Sequence, residues 1–126
     1  MFSLTESNRY YLYPYPTDMR KSFYTLDGIV NNQMGMNVQN GDCFIFVNRP
    51  CTSMKILHME YGGLVIYHMK LSQGYFHLPD VDTGEGTVQS VQTFWSDLMM
   101  MVQGIDARTV KHHKRWDPRD GKNNKL

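Results

Sequence analysis

Between Cys43 and Leu78 the chain alternates short β-prone runs with links too short for anything but a reversal of direction. Cys43-Phe44-Ile45-Phe46-Val47 reads as a buried strand, and Asn48-Arg49-Pro50-Cys51-Thr52 turns the chain. Ser53 to Glu60 and Gly63 to Lys70 follow as two more strands joined around Tyr61-Gly62. A two-residue link closes an antiparallel hairpin, whereas a parallel pair needs a crossover of a dozen or more residues. Tyr75-Phe76-His77-Leu78 reads as a fourth strand, ended by Pro79. The stretch predicts an antiparallel meander.

A sheet of this kind needs cover. Tyr10 to Tyr15 is aromatic and β-prone, but Pro14 and Pro16 lack the N–H of a central ladder, so an edge strand is expected. Met19, Phe23, Leu26 and Val30 then recur at helical spacing, with Thr17 as cap, Asp18 at the positive dipole end, and Asn31, Asn32 and Gly35 as stops. This predicts a helix over 18–32. Residues 80–89 read as a loop. Val91, Phe94, Trp95, Leu98, Met101, Val102 and Ile105 predict a second helix over 90–104, capped by Ser90 and stopped at Gly104. Each large apolar group on that stripe is worth about 1.5–3 kcal/mol if buried. The helix therefore seals the sheet or forms a contact, with Phe94, Trp95, Leu98 and Met101 the candidate partner surface. The expected fold is α+β: an antiparallel sheet of four or five strands, a meander, packed with two helices.

At 126 residues the chain fits one domain, expected over 1–107, with a basic, flexible tail over 108–126. Its 41% hydrophobic and 20% charged residues exclude a wholly disordered protein. No apolar run approaches the roughly 18–20 residues that cross a bilayer, and the N-terminus lacks a signal-peptide pattern. Two cysteines, Cys43 and Cys51, are too few for a disulfide scaffold or a four-cysteine zinc site. A cytoplasmic, reduced protein is expected. The net charge of +1 is a sum of opposites: −4 over residues 1–107 and +5 over 108–126. Such asymmetry points to a polyanionic partner.

Catalysis finds little footing. No Ser, Cys or Thr sits in a recognisable nucleophile setting, and Gly84-Glu85-Gly86 is a flexible turn, not a phosphate loop. Asp80, Asp82 and Glu85 read as a solvated loop in preference to a cation site. With Tyr61-Gly62 as the turn, His58 pairs with Val65; a second turn at Ser72-Gln73 would set His68 opposite His77. Alternation then puts Lys55, His68, Lys70 and His77 on one face and Ile56, His58, Val65, Tyr67 and Phe76 on the other. The first face is a basic, aromatic-edged patch using Lys55, Lys70 and Tyr75, or, since Leu57, Leu64 and Ile66 share it, a second core layer. A metal enzyme built on His68, His77 and Glu60 is the remote alternative; no cofactor and no metal is expected.

Arg20 and Lys21 would fall in the first turn of the predicted helix, where the dipole disfavours cations. That placement suggests an anionic partner or a salt bridge across the domain. In the tail, Arg108, Lys111, Lys114 and Arg115 would bind phosphates, and Trp116 would stack on a base; the plainer reading is a solubilising tail.

Several motifs also occur together in order. Tyr13-Pro14 leads into Thr17-Asp18-Met19-Arg20-Lys21-Ser22-Phe23 and Leu26. Gly41 to Arg49 and Lys55-Ile56-Leu57 follow. Gly63 to Tyr67, Lys70-Leu71, Gly74-Tyr75-Phe76 and Pro79 complete the series. The series, covering about residues 10–79, resembles the accessory proteins of the insertion-sequence-sixty-six family (TnpB type, the second reading-frame product, not the RNA-guided nuclease). The chain departs from the usual pattern at Met59, Met69 and Leu78. The resemblance implies a non-enzymatic accessory role in transposition, through contacts with DNA, the transposase or both. Asp18, Arg20, Lys21, Arg49, Lys55 and Lys70 are the matching polar positions. The alternative is a protein-binding adaptor that uses the apolar stripe of the second helix and touches no nucleic acid.

Overall fold

All five residues of Cys43–Val47 are buried, because this strand runs through the middle of a sheet covered on both faces. The structure, a computed structural model, describes residues 4–79, 88–103, 105–106 and 111–112. In chain order its elements are β1 (Tyr10–Leu12), α1 (Phe23–Asn32), a 3-10 turn at Val38–Asn40, β2 (Cys43–Val47), β3 (Ser53–Glu60), β4 (Gly63–Lys70), β5 (Val91–Thr93) and α2 (Trp95–Gln103). Two-residue strands β6 (Ile105–Asp106) and β7 (Lys111–His112) pair antiparallel. The main sheet is five-stranded, in the order β4-β3-β2-β1-β5.

Alternation along β2 sorts the two cores. Cys43, Ile45 and Val47 face a cluster with Tyr10, Leu12, Met54, Ile56, Phe76, Leu98 and Met101, which α2 closes. Phe44 and Phe46 face the other way, onto Leu57, Leu26 and Val30 beneath α1, with Leu64 and Ile66 packed alongside. The face that carries Lys55, His68 and Lys70 is thus a second core layer over its middle.

The β3–β4 hairpin has the expected register, Glu60 opposite Gly63 and His58 opposite Val65. Tyr61 (φ 51°) and Gly62 (φ 78°) form its turn, both in the left-handed region that a two-residue turn of this twist requires.

Several expectations are corrected. The sheet is mixed: β1 pairs parallel with β2, α1 lying in the connection, and antiparallel with β5. β1 is therefore an interior strand; it ends at Leu12, before either proline. The strand expected at 75–78 does not form. Leu71 N–H donates to the Thr52 carbonyl (2.8 Å) and Phe76 N–H to that of Cys51 (2.7 Å), so the segment bends around the sheet end and drops Phe76 into the core. His68 and His77 are consequently not paired across strands. The fifth strand is instead Val91–Thr93, taken from the start of the expected second helix to cover the open edge of β1. That helix begins at Trp95, and Ser90 does not cap it.

The first helix also starts late. Asp18 Oδ1 accepts the Arg20 N–H at 2.9 Å and the Asp18 carbonyl accepts that of Lys21 at 3.1 Å, a local turn that competes with helix. Ser22 takes the cap position in place of Thr17, its N–H donating to Thr25 Oγ1 at 2.9 Å. At the far end Met36 N–H donates to the Val30 carbonyl around Gly35 (φ 67°), a left-handed stop where glycine is favoured.

Candidate nucleic-acid interface

Parallel pairing of β1 and β2 sends both strands out of the same end of the sheet. There β1 feeds the segment 13–22, β2 feeds the turn 48–52, β3 begins and β4 finishes. Every basic position singled out in the body of the chain sits at that end.

Asn48 shapes the turn. Its Oδ1 accepts the N–H of Thr52 (2.8 Å) and of Ser53 (2.9 Å), while Cys51 takes a positive φ of 58°. Arg49 projects from this turn into solvent. Pro16, Thr17, Asp18 and Met19 stand beside Asn48 and Arg49 around an open hollow of about 430 Å³, with the Thr17 N–H tied to the Val47 carbonyl at 2.9 Å. Arg20 and Lys21 precede α1 rather than occupying its first turn, so the dipole argument does not apply to them. Arg20 Nη2 lies 2.6 Å from Asp18 Oδ2, and this contact lowers the Asp18 carboxyl to about 2. Lys70 is exposed opposite Ser53.

Lys55 differs from its neighbours. It is 8% exposed, and its Nζ donates to the carbonyls of Met19 (2.8 Å) and Lys21 (2.7 Å). Its head group is spent on holding the 19–21 backbone, so it is a positioning residue and not a free phosphate contact. Burial, then the charges of Lys55 and Lys70, hold the His68 imidazole below its ordinary value, as a positive surface would.

The opposite end is more acidic. Asp42 is buried against Arg9 (2.8 Å), and Asp97 lies in the first turn of α2. His58 bridges Glu60 Oε2 (3.0 Å) and the Gly41 carbonyl (3.2 Å), and the Tyr67 hydroxyl donates to the same carboxylate oxygen. Burial and that bond push the Tyr67 phenol up to about 12. The cluster locks the hairpin end to the chain before β2.

The apolar stripe of α2 is mostly consumed internally. Leu98 and Met101 are buried in the core, and Trp95 packs on Tyr10 with ring centroids 5.8 Å apart. Of the four residues expected to meet a partner, Phe94 alone is largely exposed. Lys114, Arg115 and Trp116 lie outside the described residues, as do Asp80, Asp82 and Glu85, and Lys111 is described only as part of β7. Among the described residues no group of three or more His, Cys, Asp or Glu is placed to hold a metal ion. No described helix is long and apolar enough to cross a membrane.

Sequence reasoning missed two exposed rings at the basic end. Phe23 was assigned to the buried helix face but is half exposed, and Tyr24, off that stripe, is almost wholly so. The signal for Tyr24 was its position, out of phase with Leu26 and Val30 and three and four residues after the cations Lys21 and Arg20.

What these features define is a small α+β domain whose sheet is polarised in charge from end to end. Residues 8–112 match the family described as "IS66 Orf2 like protein", and the chain belongs to that family. Membership implies an accessory role in the transposition of an insertion sequence, and it upholds the resemblance read from the motifs. The match runs past α2 to β7, well beyond the motifs that first suggested it. The chain is also similar to "Uncharacterized protein y4hO" of Sinorhizobium fredii (strain NBRC 101917 / NGR234). The two are 26% identical over 102 residues, 81% of this chain and 83% of that protein. No solved structure matches the chain.

Proposed function

We propose that this protein assists transposition without catalysing a reaction, by contacting DNA through the basic end of its sheet in the cytoplasm. The observation that carries the reading is the convergence of Arg20, Lys21, Arg49 and Lys70 on one end, with Lys55 fixing the backbone between them. Exposed cations bind backbone phosphates by releasing counterions, an attraction that needs no base-specific contact. Lys111, Lys114, Arg115 and Trp116 add a second basic stretch to the same reading. No cofactor enters it.

The test is fluorescence anisotropy with DNA from the ends of the element. With about three or four phosphates contacted, affinity should fall with a log–log salt slope of roughly −3 to −4. Combined Lys21→Ala, Arg49→Ala and Lys70→Ala substitutions should flatten that slope; substituting Lys114, Arg115 and Trp116 instead measures the tail's share. Absence of binding at low salt, with and without the transposase, sinks the DNA reading.

One observation favours the adaptor as a second reading. Met54, Met69, Trp95, Met99 and Val102 border an apolar hollow of about 260 Å³ between edge strand β4 and α2. The transposase of the same element would fill it through apolar side chains. Met69→Glu should then abolish co-purification with the transposase.

A further inference from the structure

We infer that the basic end of the sheet is built for unpaired DNA: it takes single strands in preference to duplex, its cations gripping phosphates while exposed rings stack on bases. The inference rests on the DNA reading above and specifies its ligand.

Three aromatic side chains stand at the end that carries Arg20, Lys21, Arg49 and Lys70. Phe23 and Tyr24 open α1, one residue (Ser22) beyond Lys21, and are 46% and 91% exposed. Tyr75, 44% exposed, follows the turn from the other side: the next residue's N–H is bound to the Cys51 carbonyl, two residues beyond Arg49. Its ring lies 5.0 Å from that of His77, centroid to centroid, which steadies it. An exposed Tyr at the second position of a helix contributes nothing to a core, and with Phe23 and Tyr75 at the same cationic end it makes a surface of mixed kind.

Charge and geometry then select the form of DNA. Arg20 is already held by the Asp18 carboxylate, so Lys21, Arg49 and Lys70 are the main phosphate contacts. That is a shallow footprint beside the roughly 6–10 contacts of a strongly salt-dependent duplex binder. A duplex keeps its base faces stacked inside and gives an exposed ring nothing to lie against. A single strand turns out a π-face at every nucleotide, and each base–ring stack changes affinity about fivefold or more.

The experiment compares labelled oligonucleotides of equal length, single-stranded, duplex and abasic single-stranded, by anisotropy at two salt concentrations using the full chain. The single strand is expected to bind at least tenfold more tightly than the duplex, and the abasic strand to lose most of that advantage. Tyr24→Ala, at a site too exposed to affect folding, and Tyr75→Ala should each weaken single-strand binding about fivefold or more without altering duplex binding. Tyr24→Phe should retain it. Equal or tighter duplex binding, with ring variants unchanged, overturns this inference and leaves the DNA reading standing. Binding to none of the probes overturns both.

Discussion

Lys55 donates a 2.7 Å hydrogen bond to the main-chain carbonyl of Lys21, so one cation fixes the backbone from which another reaches solvent. The same ammonium holds the Met19 carbonyl, and together the two bonds set the path of residues 19–21. Charge-assisted bonds of this kind contribute about 1.5–3 kcal/mol, and their loss would strand two carbonyls. Lys55→Met should therefore lower unfolding free energy by about 2–3 kcal/mol in urea titration. It should also weaken DNA binding with an unchanged salt slope, because the Lys55 head group faces inward and displaces no counterion. A flatter slope would show that Lys55 meets phosphate itself.

Tyr61 sits at φ 51°, where a non-glycine side chain is strained, and is followed by Gly62 at φ 78°. Asparagine tolerates this conformation far better, and Asn-Gly is the preferred pair for such a turn. Tyr61 is highly exposed, so little packing is lost with it. Tyr61→Asn should stabilise the domain by about 0.5–1 kcal/mol, read as a raised denaturation midpoint. An unchanged or lower midpoint would mean that the ring makes a compensating contact.

The hairpin was legible because its signals agree. Period-two alternation and a Tyr-Gly link allow one register, and the apolar partners Leu57, Leu64 and Ile66 mark the second covered face. Val91-Gln92-Thr93 was not legible as a strand, since its apolar residue is in phase with Phe94, Trp95 and Leu98 on a helical stripe. What decides it is the open edge of β1, a long-range demand that no local window contains. Likewise Asp18 reads as a helix opener until its carboxylate is seen closing a turn on Arg20. The basic residues could be named from the chain, but their meeting at one end depends on the parallel β1–β2 pair, which the local pattern did not predict. The inward role of Lys55 depended on the same crossover.

The two cysteines should separate cleanly. Cys43 is fully buried, and burial, with Asp42 and Glu60 adding, pushes its thiol up to about 12. Cys51 is partly exposed, its thiol raised by burial and placed 3.8 Å from the Arg49 carbonyl. Thiolate is the reactive form, so a disulfide reagent at pH 8 should modify Cys51 slowly and Cys43 only on unfolding. One equivalent is expected in native protein and two in urea. Bound DNA should slow the native reaction, because Cys51 lies in the turn that presents Arg49. Rapid native labelling of both thiols would contradict the buried position of Cys43.

His68 reports on the field at the basic end. Loss of hydration, then Lys55 and Lys70, hold its imidazole below the ordinary 6.5. Between the depressed folded value and about 6.5 the unfolded chain binds more protons than the folded one. Stability is therefore lost as pH falls through that window, and the loss is complete once pH drops below the folded value. Lys70→Ala removes one repelling charge and should move the His68 titration toward 6.5 in a proton NMR series, narrowing the window. A polyanion seated on Lys21, Arg49 and Lys70 would offset the same repulsion and raise the His68 value, so binding takes up a proton. By linkage, affinity for DNA should then increase as pH falls through the window between the free and the DNA-bound His68 values. A His68 titration that ignores both Lys70→Ala and saturating DNA would place the contact away from this end of the sheet.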